Sequence, residues 1–291
     1  MSAANNAPQN DRTYFIDAEN AAEMARLTRQ DRLITKCMGG LLPEHADISS
    51  MHTVLDIACG SGGWVLDVAR SYPTMQVVGV DISELMIEYA SATALNQRVA
   101  NASFRVMNAL KPLDFADNSF DLVNARFLFA FMPAVAWPQF IQECLRITRP
   151  GGIIRLTEFD VYGATNSPAC EKMTELGSHA FKRAGHSFSP DGRSVGITPM
   201  LGRFLRDAGC RNIQQKAHAL EFSQGTEVYE EMYQNHMIVL KLMQPFLIKT
   251  GVTTQEEVEG VYHRALAEMQ SKDFCGIWYF LTAIGEKTGP A

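Results

Sequence analysis

The sequence predicts an α/β fold: a doubly wound, mostly parallel sheet with helices on both faces. Three observations carry this expectation. Apolar runs at 53–58, 76–81, 102–107, 120–125 and 153–159 alternate with segments of helical periodicity. The first run, Val54-Leu55-Asp56-Ile57-Ala58, leads into Cys59-Gly60-Ser61-Gly62-Gly63-Trp64, a glycine-rich turn that opens a helix. The second, Val77-Val78-Gly79-Val80, ends in an acid, Asp81. Ligands of such sheets bind beyond the carboxyl ends of the strands, where these residues lie.

The elements follow in order. Residues 18–42 read as one or two helices, because Met24, Leu27, Leu33, Ile34, Met38 and Leu41 fall near helical spacing, and Gly39-Gly40 with Pro43 stops them. Strand 53–58 precedes helix 62–71, and strand 76–81 precedes helix 84–97, for which Ser83 is a suitable N-cap. Strand 102–107 is followed by a turn-rich loop, Asp114 to Ser119, and then by strand 120–125. Trp137-Pro138 starts a helix that runs to Ile147, Arg149-Pro150-Gly151-Gly152 stops it, and strand 153–159 follows. The second half is less regular. It reads as a helix at 164–183, a helix from Pro199 to Ala208 closed by Gly209, a strand at 212–222, helices at 226–249 and 253–271, and a strand at 276–284.

Composition bounds the function classes. The 291 residues, 46% hydrophobic and 20% charged, suit one large globular domain. A net charge of −6 offers no basic field to a nucleic acid or an anionic membrane. Six cysteines show no C-x-x-C pair and no metal-ligand spacing, which fits reduced thiols in a cytoplasmic protein with no metal. No apolar run is long enough to span a membrane. Residues 1–12 are polar and read as a disordered tail, with no signal or anchor.

The glycine turn excludes two nucleotide-binding designs. Counted from Gly60, the third small position of a dinucleotide fingerprint is Val65, and no G-x-x-x-x-G-K-[ST] occurs. What remains is D-x-x-C-G-x-G, with Asp56 in the strand before the turn. Over residues 50–160 this resembles a class I S-adenosylmethionine-dependent methyltransferase of the small-molecule, quinone-biosynthesis-like branch (methyltransferase type 11). The resemblance implies a Rossmann-like sheet of seven strands, the last inserted antiparallel. It implies one domain over 13–291, with an N-terminal helical lid at 13–48 and cap insertions at about 162–195 and 225–272. The cofactor it implies is S-adenosyl-L-methionine.

Site expectations are carried over residue by residue. Gly60 and Gly62, with Ala58 before them, pass beneath the methionine and ribose portions of the cofactor. Asp56 reaches its ammonium, directly or through water, or else only caps backbone N–H groups. Asp81 accepts hydrogen bonds from the ribose hydroxyls. Ile82 and Met86 sandwich adenine or simply pack their helix. Asn108 stands where relatives carry an aspartate facing the adenine amino group, and an amide oxygen can still accept; Ala109 follows it. Asn124, in Asn124-Ala125-Arg126, offers its backbone carbonyl to the ammonium. Arg26 resembles an N-terminal arginine that pairs with the cofactor carboxylate, for which a planar fork is suited; a solvated helix face is the alternative. Tyr14 and Gln30 are weaker versions of the same idea.

The acceptor is expected to be small and partly apolar. Asn124-Ala125-Arg126-Phe127 lacks the prolines of enzymes that methylate base amino groups, and no cysteine stands in a Pro-Cys context. Phe127, Phe129, Phe131, Phe181, Phe188, Tyr229, Tyr233, Met232, Met237 and Met243 either line a small apolar site or form the lid's own core. Candidate acid–base groups are His186, His236 and Glu158, each with a structural alternative. The expected activity is methyl transfer to O, N or C. The alternative is a cofactor-binding relative that catalyses a cyclase or decarboxylase-like reaction without methyl transfer. A second copy of the chain is a candidate partner for the apolar cap helices.

Overall fold

The computed structural model describes residues 14–16, 20–44, 48–161 and 163–289. The tail at 1–12 lies outside these residues, as do parts of the segment read as a lid.

One helix, α1 (Ala21–Met38), covers the segment where one or two were expected. Asn20 caps it by accepting from the N–H groups of Ala22 and Glu23. Gly39, at φ 91°, closes it, a conformation that costs glycine little. The sheet then builds as β1 (Thr53–Ile57), α2 (Gly63–Ser71), β2 (Gln76–Asp81), α3 (Glu84–Asn96), β3 (Ala102–Val106), β4 (Phe120–Arg126), α4 (Trp137–Ile147) and β5 (Thr148–Glu158). Ser83 caps α3 through the Met86 N–H, and Pro138 sits in the first turn of α4, as the sequence indicates.

The second half supplies β6 (Ala164–Thr165), α5 (Pro168–Arg183), α6 (Thr198–Asp207), β7 (Arg211–Glu221), α7 (Tyr229–Leu242), α8 (Gln244–Lys249), α9 (Gln255–Met269) and β8 (Gly276–Glu286). The helix read at 226–249 is two helices. Pro245 lacks an N–H and clashes with the preceding turn, so the chain breaks and restarts at α8. The helix read from 164 begins at Pro168, because residues 164–165 pair with β8 and Ser167 caps the first turn.

Strand order is β3-β2-β1-β4-β5-β8, with β7 outside β8 and β6 against its first residues. The first five strands are parallel, and β8 is antiparallel to both β5 and β7. The sheet has eight strands rather than seven, the addition being the two-residue β6. Side chains alternate across the sheet. Val54, Val77 and Leu122 join Trp64, Val65 and Val68 of α2 in one core group, while Leu55, Ile57 and Val123 belong to the larger group on the other face. The chain leaves β1 for β2 on one side and places β4 on the other. This makes the switch point at which α/β sheets open a crevice.

Candidate active site

The crevice starts where β1 ends. Ala58 is left-handed at φ 57°, and Gly60 follows at φ 53°. This turn lets Cys59 donate to the Val80 carbonyl at 3.0 Å and Gly60 donate to Asp81 Oδ2 at 2.9 Å. The other carboxylate oxygen of Asp81 accepts from Ser83 N at 2.9 Å. Burial pushes the Asp81 carboxyl above its ordinary value, and these two N–H groups oppose the shift. A Cβ at Gly60 would meet no protein atom within 4 Å, so the space above it is open to a ligand. Gly62 differs: its missing Cβ would lie 2.6 Å from the Phe104 ring and 2.8 Å from Ala90. Gly62 does not line the crevice; it lets α2 pack against β3 and α3.

Asp56 lines the floor and is buried. Burial pushes its carboxyl up to about 6, while Arg126 and the Asn124 amide pull it down. Asn124 donates to Asp56 Oδ1 at 2.7 Å, and its own oxygen accepts from Arg155 Nη1 at 2.8 Å. Arg155 in turn pairs with Glu44 at 3.1 Å. The register places Asp56, Asn124 and Arg155 side by side on adjacent strands, so this polar row is a product of pairing. Asn124 is fully buried and absent from the crevice lining. Two residues later, Arg126 does line it. Its guanidinium donates to Asp31 at 2.7 Å and lies 5.7 Å from the Trp64 ring. Asp31 was not singled out from the sequence, where it is one charge among several on a helix face.

Helix α1 walls the crevice with Arg26, Leu27, Gln30 and Asp31. Thr28 ties α1 to the glycine turn through a 2.8 Å bond to Ser61. At the far end stand Ile82, Met86, Asn108 and Ala109. Met86 is buried, whereas Ile82 is 42% exposed. Asn108 Oδ1 accepts from Leu110 N at 2.8 Å, so the amide oxygen is already engaged in a local turn.

The opposite wall is aromatic: Phe127, Phe129, Phe131 and Phe159. Phe127 is left-handed at φ 59°, a conformation unfavourable for a bulky side chain and found at sites the surrounding fold over-determines. Glu158 and His186 lie behind this wall and do not line the crevice. Glu158 accepts from Leu128 N at 2.6 Å, and the Phe129 N–H also bonds to it. Burial pushes its carboxyl well up. His186 Nδ1 bonds the Phe129 carbonyl at 2.9 Å, and burial pushes the imidazole below its ordinary value. Two of the candidate acid–base groups thus hold the backbone of one wall residue. The third, His236, is away from the crevice; its Nδ1 bonds the Met232 carbonyl at 2.8 Å and its ring stacks on Phe222. Phe181 packs behind Phe129 with ring centres 5.1 Å apart, as lid core.

Residues 54–152 match the methyltransferase domain family. Demethylmenaquinone methyltransferase of Lactococcus lactis is 34% identical over 101 residues, covering 34% of this chain and 39% of that protein. Methyltransferase str2 of Strobilurus tenacellus is 25% identical over 158 residues, covering 54% of this chain and 52% of that protein. The matched stretch thus spans about half or less of these relatives. Among solved structures, the YcgJ protein of Bacillus subtilis superposes with a TM-score of 0.55 at 17% identity, over 88% of this chain and 99% of that one. A Haemonchus contortus phosphoethanolamine N-methyltransferase, solved with S-adenosylhomocysteine, gives 0.57 at 17%, over 97% and 62%. The [4+2]-cyclase SpnF gives 0.51 at 18%, over 94% and 97%. At these identities the superpositions establish the fold alone.

Proposed function

We propose that this protein is an S-adenosylmethionine-dependent methyltransferase acting at O, N or C of a small, partly apolar molecule. One observation carries the reading. A single crevice runs from Met86 and Asn108, past Asp81, Gly60 and Asp56, to the wall of Phe127, Phe129, Phe131 and Phe159. A nucleoside end and an apolar end in one space is what a methyl donor and an apolar acceptor require.

The residues fit the cofactor. Asp81, whose two oxygens already face N–H donors, would take the ribose hydroxyls. Met86 and Ile82 would flank adenine, with Asn108 and Ala109 at its edge. Open space above Gly60 would admit the ribose and methionyl portions, beside Ala58 and Asp56. Arg26 would take the carboxylate. Gly62 and Asn124 serve this site through others, one by letting the turn pack and one by orienting Asp56.

The bound cofactor supplies an electrophilic methyl group on a cationic sulfur. The chain's own part is alignment and exclusion of water. The aromatic wall presents the acceptor face and keeps it dry. Glu158 and His186 fix Phe129 within that wall from the sheet side and the cap side. A reducing, cytoplasmic setting belongs to the same reading, supported by six free cysteines. Among the described residues no helix is long and apolar enough to cross a membrane.

Incubation with methyl-labelled cofactor and a panel of phenols, enols and amines tests the proposal. Labelled product with release of S-adenosylhomocysteine is expected. Conversion of an acceptor without consumption of cofactor would favour the cyclase-like alternative, and failure of the crevice to bind S-adenosylhomocysteine would overturn the reading.

A further inference from the structure

Arg26 is built into a network that its expected task does not by itself require. Its Nε and Nη2 meet the two carboxylate oxygens of Glu23, both at 2.7 Å. Glu23 is fully buried one turn away on the same helix, and Tyr14 donates to it at 2.8 Å. The remaining terminal nitrogen, Nη1, contacts Gln30 Oε1 at 2.5 Å and Asn235 Oδ1 at 2.9 Å. Arg26, Gln30 and Tyr14 line the crevice, whereas Glu23 and Asn235 do not. Asn235 belongs to α7, in the second cap insertion, so one guanidinium joins the lid helix to the cap.

We propose that Glu23 is a positioning residue for the cofactor's amino-acid end: it locks the Arg26 fork on one side so that Nη1 is presented to the crevice, where Gln30 holds the place of a carboxylate. The inference rests on the proposed cofactor. A buried carboxylate with a two-point grip fixes all rotations of the arginine except the one it shares, which pre-pays the ordering that binding would otherwise cost. The amide oxygens on Nη1 are neutral acceptors, and a carboxylate at the same nitrogen makes the stronger, charge-assisted bond.

The test separates the amino-acid end from the nucleoside end with two probes. S-adenosylhomocysteine carries the carboxylate, and 5′-methylthioadenosine lacks the whole amino-acid part. Calorimetric titrations of the full chain are compared for wild type, Glu23→Gln, Arg26→Lys and the double variant. Glu23→Gln is expected to weaken S-adenosylhomocysteine about tenfold, the loss of one charge-assisted bond, and to leave methylthioadenosine unchanged. Arg26→Lys should weaken S-adenosylhomocysteine at least as much, and adding Glu23→Gln to it should change nothing further, because a residue acting through Arg26 falls silent without it. Equal losses for both probes in Glu23→Gln, full additivity in the double variant, or no loss at all would overturn the assignment. Wild type that binds neither probe would instead refute the proposed cofactor.

Discussion

Asp81 satisfies two backbone N–H groups at once, one from the glycine turn and one from the start of α3. Its removal should leave the sheet intact and the nucleoside without its ribose partner. Asp81→Ala is expected to lower S-adenosylhomocysteine affinity by about tenfold or more, as loss of hydrogen bonds to a charged group predicts. An unchanged calorimetric affinity would refute the ribose assignment. Gly60→Val should abolish binding, since the side chain fills the open space and must adopt φ near 53°. Asp56 adds a pH signature. Burial raises its folded-state value to about 6 from 3.8, so the folded chain holds this proton to higher pH than the unfolded chain. Its stabilising contribution is therefore fully present below about pH 4 and is lost as pH rises through about 6. Asp56→Asn removes that dependence. Its stability relative to wild type should climb between about pH 4 and 7, by no more than about 3 kcal/mol, in urea unfolding. A difference that stays flat with pH would show the carboxyl to be unshifted.

Helix α1 is fastened along its length, and three of its ties border the crevice: Thr28 to Ser61, Asp31 to Arg126, and Arg26 to Asn235. The middle one matters most to the helix, because Asp31 and Arg126 are 16% and 12% exposed and their attraction is poorly screened. Asp31→Asn should loosen α1 locally, at a cost of about 1–3 kcal/mol, with faster amide exchange in α1 than in α9. Exchange rates that rise equally in both helices would point to global destabilisation instead. Elements with a regular period were legible in the sequence. Strand β2 and helix α4 were expected with the boundaries they have, since an apolar run ending in Asp81 marks the first and Trp137-Pro138 starts the second. Strand β5 was not. Pro150-Gly151-Gly152 reads as a stop, yet the pairing with β4 shifts between Phe120 and Leu122 to absorb it. Lys287 and Gly151 then complete the hydrogen bonding from the far end of the chain. A two-residue strand such as β6 has no period to detect.

The two inserted segments and the sheet meet at one aromatic cluster. Trp278 of β8 is 1% exposed, with its ring centre 4.8 Å from Phe159 and 6.1 Å from Phe127. Among the described residues its indole N–H has no hydrogen-bond partner. Trp278→Ala should cost about 3–5 kcal/mol through the cavity it leaves, whereas Trp278→Phe should cost much less, because a ring still fills most of the space while the buried unsatisfied donor is gone. Denaturant midpoints of the two variants check this, and equal losses would contradict it. The same junction explains which parts of the site could be read in advance. Gly60 and Asp81 follow from neighbouring residues of two successive strands, so their meeting is nearly local. The Asn235 partner of Arg26 comes from α7, and the partners of Glu158 and of His186, itself a cap residue, come from the turn after β4. No spacing along the chain encodes those encounters.

Gly60 and Gly62 are two apart and look interchangeable on paper. One faces an empty space, and the other presses against a phenylalanine ring. The first therefore answers to whatever molecule the crevice accepts, and the second answers only to the chain's own interior. A side chain at position 60 would have to take a left-handed backbone and would reach into the crevice, whereas one at position 62 would run into the protein's own core.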